Sequence, residues 1–297
     1  MKARFLSHDG PTWLVALVLY GAWAALIAGH ARLPWWIVTP IGAYLVAWHF
    51  SLQHEAIHAF RSAPDWLRTA VVMPPLGLWL PFPLYREAHT THHRNTHLTE
   101  PGVDTESVYW RAADWDALPA WRRAVLRANQ TLLGRVVIGP VLRLEKLVLR
   151  ETARIAAGDR SHVHHWIVHA LLVGLLFVYI SGVCAMPWWQ YVFGIAWPAF
   201  GLGWVRSFIE HRYGPRPAER TAIVESNAFW SLLFLNNNLH AVHHLHPRMP
   251  WWEIPAYYRA NRERILARNG HFHFRGYAQI ARRWGVRPAF EPVHPRS

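Results

Sequence analysis

The stretch SHVHHWIVHALLVGLLFVYISGVCAMPWWQYVFGIAWPAFGLGWV, residues 161–205, contains no Asp, Glu, Lys or Arg. A helix needs about 20 mostly apolar residues to cross a bilayer, and this stretch is long enough for two such helices. The turn-forming residues SGVCAMP, 181–187, divide it. We therefore predict one membrane span over residues 165–182 and another over residues 187–207.

Two more charge-free windows lie near the N-terminus, and each is long enough for one span. We predict these spans over residues 12–30 and 34–54. A further window, residues 69–85, contains four prolines, which break helices because proline lacks a backbone N–H. We expect this window to be a re-entrant or interfacial segment that does not cross the membrane.

The basic residues beside the predicted spans indicate the orientation of the chain, because Lys and Arg are concentrated on the cytoplasmic side of membranes. These residues are Lys2, Arg4, Arg61, Arg68, Arg154, Arg160, Arg206 and Arg212. We expect both termini and the long segment 55–160 on the cytoplasmic side of a bacterial inner membrane. The predicted fold class is all-α, a single membrane domain over residues 1–297, with four transmembrane helices in two hairpins and a cytoplasmic helical cap.

The composition narrows the remaining classes of protein. The chain has 297 residues, of which 52% are hydrophobic and 16% charged, and its formal net charge is +13. The membrane spans account for this basic bias, and the sequence has no nucleic-acid-binding motif, so we expect no nucleic-acid partner. Because Cys184 is the single cysteine, a redox metal would have to be held by other ligands.

Clusters of histidine are the chemically informative pattern. HEAIH places His54 and His58 four residues apart at the end of the second predicted span, which puts both rings on one face of a helix. HTTHH, residues 89–93, and HAVHH, residues 240–244, each place three histidines at positions i, i+3 and i+4. His211 follows the fourth predicted span, so all four groups are expected on the cytoplasmic side.

The nine histidines of these groups are the candidate metal ligands. They are His54, His58, His89, His92, His93, His211, His240, His243 and His244. Nine ligands exceed the coordination number of a single ion, so we predict two metal ions. Imidazole binds iron, copper, zinc and nickel, so the spacing by itself does not name the metal, although a nitrogen-rich shell around iron suits chemistry with dioxygen.

The same residues carry a resemblance to a known family. The three histidine clusters, together with LTEPGVDTESVYW at residues 98–110 and NNNLHAVHHLHPRMPWWEIP at residues 236–255, resemble the membrane fatty acid desaturases. These are integral-membrane di-iron proteins with three histidine boxes. The chain looks most like the short bacterial members, a group that includes the desaturase of the small amino-acid derivative dihydrorhizobitoxine. The resemblance implies that the nine histidines bind two iron ions.

The resemblance also implies roles for polar residues near the boxes. In animal members of known structure, an asparagine four residues before the isolated histidine holds a metal-bound water, and this chain has Ser207 there. Asn237 is the candidate replacement for that asparagine. Carboxylates near the boxes would orient imidazole N–H groups. The further candidates around the ligands are Glu55, Asp104, Glu210 and His97.

The reaction implied by the resemblance is the oxygen-dependent desaturation of a fatty acyl chain or a related lipid. Removal of hydrogen from an unactivated C–H bond needs a metal that activates dioxygen, which would be the co-substrate. The electrons are expected to come from a separate donor, a ferredoxin or a small cytochrome, that docks on the basic cytoplasmic face. Docking of this kind would weaken at high salt.

Other functions remain open on the sequence. The same chemistry could hydroxylate or ketolate a lipid or carotenoid, or desaturate a small non-lipid substrate. A histidine-rich metal transporter is a different class, but transport needs polar ligands near the bilayer midplane, whereas these histidines lie at span ends. A bis-histidine haem protein would show a Soret absorption band.

Overall fold

The protein is mostly helical, with two short strands. The computed structural model describes residues 2–95 and 97–296, and for residues 2–8 it describes the backbone alone. The side chains of Lys2 and Arg4 therefore lie outside what the structure describes. The helical content agrees with the predicted all-α fold class.

The helices are short except near the N-terminus and in the middle of the chain. They are α1 (Lys2–Gly29), α2 (Trp35–His58), α3 (Asp65–Val72), α4 (Phe82–Arg94), α5 (Ala112–Asp116), α6 (Ala120–Ala128), α7 (Leu132–Val137), α8 (Gly139–Ala156), α9 (Val163–Phe177), α10 (Trp188–Tyr191), α11 (Trp197–Ser207), α12 (Ala228–Leu233), α13 (His240–Leu245), α14 (Ile254–Arg268) and α15 (Tyr277–Trp284). Strand β1 (Ile223–Val224) pairs in parallel with β2 (His273–Phe274).

Two helical stretches among the described residues are long and apolar enough to cross a membrane. They are Asp9–Arg32, with a mean hydropathy of 1.8, and Val163–Val183, with a mean hydropathy of 2.1. Only 11% of the second stretch is buried, so most of its apolar side chains face outward. These stretches correspond to two of the predicted spans, and they do not confirm the four-span topology.

The other two predicted spans, residues 34–54 and 187–207, are also largely helical. Helix α2 carries His49 and Gln53 within its apolar stretch, and the second stretch combines α10, α11 and a π-helical segment with several Trp and Gly residues. Such residues lower the mean hydropathy relative to a run of Leu, Ile and Val. Whether these two helices cross a membrane stays a prediction.

The proline-rich window between α3 and α4 is not a continuous helix. Helix α3 ends at Val72, and α4 begins at Phe82. The peptide carbonyls in the window bond to side chains of later helices: the Tyr191 hydroxyl donates to Leu76 O at 2.9 Å, and a ring nitrogen of His169 lies 2.7 Å from Leu78 O. These bonds compensate for the backbone partners that a helix would have supplied.

The chain divides into two compact units. The first comprises Met1–Arg86 and Leu142–Gly203, and the second comprises Glu87–Val141 and Trp204–Ser297. In the first unit, Gly42 of α2 permits a close approach of Ile195, because a Cβ at Gly42 would lie 2.8 Å from the Ile195 side chain.

The second unit is organised around the short strand β1. Buried apolar side chains from β1, α13 and α14 form its core, among them Ile223, Val242, Ile254 and Ile265. Backbone atoms of β1 and of Ala222, the residue before it, form hydrogen bonds with several separate segments. Ala222 N donates to Glu210 O, Ala241 N donates to Ala222 O, and Val224 N donates to Asn238 O, at 2.9 to 3.0 Å. The segment that ends in His211 and the third histidine box are thereby tied to one strand.

Candidate metal centre

The helical spacing of the histidines in each box places their side chains close to one another. His89, His92 and His93 lie in the last turns of α4, and the third box forms the short helix α13. In the first unit, His54 and His58 occupy the last turn of α2, with ring centroids 5.0 Å apart. Residues three and four apart share one face of a helix, as the sequence spacing predicted.

Within the second unit, four histidines direct their Nε2 atoms toward one another. His211 Nε2 lies 3.1 Å from His92 Nε2 and 3.0 Å from His240 Nε2. His244 Nε2 lies 3.1 Å from His240 Nε2. Ring nitrogens of His92, His211 and His244 all lie within 4.8 Å of one another. This separation is small enough for one ion to contact several of these rings.

Three further histidines of the second unit form a neighbouring group. His89, His93 and His243 each offer a ring nitrogen within 4.8 Å of the other two. His243 Nε2 and His93 Nε2 are 2.9 Å apart. His93 also stacks on His244 with centroids 4.4 Å apart, so the two groups are adjacent. Two adjacent groups of nitrogen ligands are the arrangement that a two-metal site requires.

Carboxylates hold the outer nitrogens of the second box. His89 Nδ1 donates to Glu106 Oε1 at 2.8 Å, and His92 Nδ1 donates to Asp104 Oδ1 at 2.8 Å. The buried Asp104 carboxylate also accepts hydrogen bonds from the backbone N–H groups of Thr99 and Glu106. A carboxylate fixed in this way sets both the ring orientation and the tautomer of its histidine.

Oxygen atoms play the same part for the remaining histidines of the larger group. His240 Nδ1 donates to Asn237 Oδ1 at 3.0 Å and lies 3.3 Å from Glu210 Oε1. His211 Nδ1 lies 3.3 Å from the carbonyl oxygen of Arg220. Thus Asn237, Asp104 and Glu210, which the sequence proposed around the ligands, each contact one of the predicted ligands.

This arrangement fits a bound metal. When Nδ1 donates its proton outward, Nε2 carries the lone pair, and the inward Nε2 atoms of neighbouring rings face each other at about 3 Å, a hydrogen-bond distance. Lone pairs that face each other so closely repel, whereas a cation among them would bind to all of them. The donor set is neutral nitrogen backed by carboxylate and amide oxygens, which suits a divalent transition metal.

The electrostatics of the cluster favour neutral rings at His211, His240 and His244 and a protonated ring at His92. Burial lowers the pKa of His211 to about 3, and burial together with neighbouring histidines lowers the pKa of His240 and His244 well below the usual value. At His92, burial acts to lower the pKa, but Glu106 and Asp104 outweigh it and raise the pKa to about 9. One proton near His92 thus balances the acidic groups, and a metal cation could replace it.

Two carboxylates of the cluster differ in their affinity for protons. Burial raises the pKa of Glu210 to about 7, although Arg206 at 3.1 Å acts to lower it. At Glu106 burial also acts to raise the pKa, but His92 and His89 hold it well below the usual value. Glu106 is therefore the ionised acceptor for the histidine N–H, and burial makes Glu210 the weaker acid of the two.

The remaining candidates lie in different surroundings. Glu55 is buried in α2 beside His54 in the chain. His97 is exposed, and its Nδ1 lies 3.2 Å from Glu100 Oε1. Ser207, which occupies the position of the asparagine of animal desaturases, is the last residue of α11. The roles inferred for Glu55 and His97 stay predictions.

The asparagine run before the third box builds a strained turn. Leu235 and Asn236 both adopt positive φ, 46° and 58°, in the left-handed region that non-glycine residues rarely occupy. Asn236 Nδ2 donates to Trp251 O, and Asn238 Nδ2 donates to Val224 O. Backbone strain of this kind persists where surrounding bonds enforce it, and here the turn aims α13 at the cluster.

Sequence reasoning missed two groups that hold ligands. Glu106 was not proposed, although it stands two residues after Asp104 in the same acidic segment and could have been found by that proximity. The acceptor beside His211 is the backbone carbonyl of Arg220, which no side-chain pattern reveals.

The geometry is compatible with a histidine-ligated metal centre, and one family of known proteins matches the chain. The family described as fatty acid desaturase matches residues 31–276. The chain therefore belongs to the fatty acid desaturase family, which confirms the resemblance noted in the sequence. Membership implies an oxidoreductase, a desaturase or a related oxygen-dependent oxidase. The match does not confirm the dihydrorhizobitoxine group, and no curated protein matches the chain.

Proposed function

We propose that this protein is a multi-pass membrane desaturase that uses two iron ions and dioxygen to introduce a double bond into a fatty acyl chain or a related lipid. The observation that carries the proposal is the orientation of the histidines in the second unit. Four of them direct Nε2 inward, with Nδ1 on an oxygen acceptor for three of those four, and family membership supplies the class of chemistry.

The proposed iron ligands are the nine histidines of the boxes and the isolated position. In the second unit they fall into the group His92, His211, His240 and His244 and the group His89, His93 and His243; the first box supplies His54 and His58. Bound iron would supply the oxidising power that breaks an unactivated C–H bond with dioxygen.

The chain's own residues prepare this site in two ways. Asp104 and Glu106 hold the Nδ1–H protons of His92 and His89, which keeps the Nε2 lone pairs turned inward. Glu210 Oε1 lies 3.3 Å from His240 Nδ1 and provides an oxygen acceptor beside that ring. Asn237 Oδ1 accepts a hydrogen bond from His240. We propose that Asn237 also reaches a metal-bound water, in place of the asparagine whose position Ser207 occupies.

The membrane topology and the partners extend the proposal. We propose four spans in two hairpins, with both termini and the metal centre on the cytoplasmic side of a bacterial inner membrane. An apolar substrate would then reach the enzyme from the bilayer, in keeping with the outward-facing apolar surface of Val163–Val183. A separate ferredoxin or small cytochrome would supply electrons at the basic cytoplasmic face.

Mass spectrometry of acyl lipids tests the proposal. Host cells that carry the wild-type chain, with oxygen and a compatible electron donor, should gain a double bond that is missing with His243→Ala. The matched control is His246→Ala. His246 follows the same helix, but its ring contacts the Tyr257 hydroxyl at 2.7 Å and it is not one of the nine proposed ligands. Cells with this control variant should keep the new double bond, and His243→Ala should still insert in the membrane.

Other products would redirect the assignment. A new hydroxyl or keto group would make the protein a lipid or carotenoid hydroxylase or ketolase. An unchanged lipid profile from a protein loaded with iron would contradict an acyl substrate and leave a small non-lipid substrate. Equal activity of His243→Ala and the wild type would contradict the ligand assignment itself.

A further inference from the structure

A cavity of about 490 Å³ lies within the second unit, apart from the histidine cluster in its lining. The volume is within the range of about 300 to 1,000 Å³ that is usual for small-molecule sites. Its wall is rich in aromatic side chains, with Tyr109, Tyr213, Phe272, Trp284 and Phe290 among them. The desaturation proposal uses none of these residues, so this cavity is unexplained by it.

Arg212 is the cation of this cavity. Its guanidinium lies 4.1 Å from the centre of the Phe272 ring, and the side chain is half-buried. Burial lowers the pKa of Arg212, and the carboxylate of Glu219 acts in the opposite direction. A guanidinium close to an aromatic ring is attracted to it and still has N–H donors that can bind a carboxylate or phosphate in bidentate fashion.

Other groups of the lining complement this cation. Arg283 lies over the Trp284 ring at 4.6 Å, and Glu291 provides one carboxylate acceptor. The charged side chains of the lining therefore carry a net positive charge. A ligand with an anionic end, a flat ring and hydrogen-bond donors would match these three features.

The backbone at His271, which lines the cavity, is strained. Its φ is 53°, in the left-handed region. Asn269 holds the loop through bonds from its Nδ2 to the carbonyl oxygens of Thr221 and Phe272, both at 3.1 Å. Gly270 before it also has a positive φ, 61°, so the chain turns sharply after α14 and places His271 and Phe272 in the wall of the cavity.

We propose that this cavity binds a small aromatic anion of the nucleoside monophosphate class. The phosphate would contact Arg212 and Arg283, the base would stack among the aromatic rings, and sugar hydroxyls or a base amino group would donate to Glu291. Base stacking on aromatic side chains tolerates different bases, so the site would prefer the class rather than one nucleotide. The inference does not depend on the proposed desaturation.

Isothermal titration of the full-length, iron-loaded protein in lipid nanodiscs tests the site. The probes are adenosine 5′-monophosphate, inorganic phosphate and adenosine, which separate the anion from the ring. The monophosphate should bind at least about tenfold more tightly than either fragment. Arg212→Gln should weaken binding of the monophosphate by about tenfold or more. The free energy of one hydrogen bond to a charged group is at least as large as the free energy that corresponds to a tenfold change in affinity.

The control is Arg287→Gln, which removes an exposed arginine of the same C-terminal region that does not line the cavity. It should leave the affinity unchanged. Arg212 adjoins the proposed ligand His211, so Arg283→Gln and Trp284→Leu provide variants that are farther along the chain from the proposed iron ligands. Each of these two variants should weaken binding of the monophosphate by about fivefold or more and should leave the iron content unchanged.

Three results would overturn the inference. They are equal affinity for the monophosphate and inorganic phosphate, no binding of any probe, and equal weakening by Arg287→Gln and Arg212→Gln. None of these results bears on desaturation, because the readout is binding and not turnover. Conversely, a protein that leaves acyl lipids unchanged could still bind the monophosphate, so the two proposals fail separately.

Discussion

Asp104 is the carboxylate whose replacement tests the proposed metal centre most directly. It is 3% exposed and accepts from His92 Nδ1 at 2.8 Å, from Thr99 N at 2.7 Å and from Glu106 N at 2.9 Å. Asp104→Asn keeps the shape of the side chain but turns one acceptor oxygen into an NH₂ donor. With the NH₂ at the Oδ2 position Thr99 N–H faces a donor, and with the NH₂ at the Oδ1 position His92 Nδ1–H and Glu106 N–H both do. In either orientation the bond to His92 loses the negative charge that strengthens it.

The size of the effect follows from the bonds that change. A hydrogen bond to a charged group contributes about 1.5 to 3 kcal/mol. Since about 1.4 kcal/mol corresponds to a tenfold change in an equilibrium constant, losing one such bond should weaken iron binding by about 10- to 100-fold. Measured changes at groups that hold metal ligands fall in the same range of about 10- to 100-fold.

The assay is iron content against a graded series of chelator concentrations, measured by mass spectrometry on purified protein. Asp104→Asn should lose iron at chelator concentrations about 10- to 100-fold below those needed for the wild type. Asp116→Asn, at an exposed carboxylate, is the matched control and should behave as the wild type. Retention of iron by Asp104→Asn across the whole series would refute the idea that this carboxylate orients a metal ligand.

Two further predictions concern stability rather than metal. The Arg262 side chain holds the pKa of Glu225 at about 2, below its ordinary 4.5, so this carboxylate stabilises the fold above pH 4.5 and loses that contribution as the pH falls toward 2. The melting temperature of Glu225→Gln should therefore fall less on acidification than that of the wild type, and parallel curves would contradict this. A Cβ at Gly134 would overlap the Ala128 carbonyl oxygen, whereas nothing lies within 4 Å of one at Gly174. Gly134→Ala should cost about 1 to 3 kcal/mol, and Gly174→Ala should not lower the melting temperature; an equal effect of both would show that the overlap is relieved.

Side-chain spacing predicted the histidine clusters because it is a local property of a helix. His89, His92 and His93 share a face of α4 whatever the rest of the chain does, and α13 does the same for the third box. The seven histidines of the second unit do come together as two adjacent groups. The number of spans was harder to predict from local sequence, since only two stretches reach the required hydropathy and length.

Features that depend on the backbone escaped prediction. Strands β1 and β2 have two residues each, too few for an alternating pattern, so the parallel pair could not be seen in the sequence. The acceptor beside His211 is the Arg220 carbonyl, and the left-handed turn at Leu235 and Asn236 has no glycine to mark it. Glu106 has the right chemistry, but the sequence holds many carboxylates and only the fold brings this one to His89.

The bonds that strand β1 makes also bear on how this sequence can diverge. Backbone atoms of Ala222 and Val224 bond to Glu210 O, to Ala241 N of the third box and to Asn238 O, two residues before that box. Side chains at these positions could therefore be exchanged among small apolar residues over many generations without moving the histidines. Proline is the exception, since at 222 or 224 it removes the N–H that donates to Glu210 O or Asn238 O. Homologues should thus vary at 222 and 224 among small apolar residues, because both side chains are buried, and they should avoid proline at both positions.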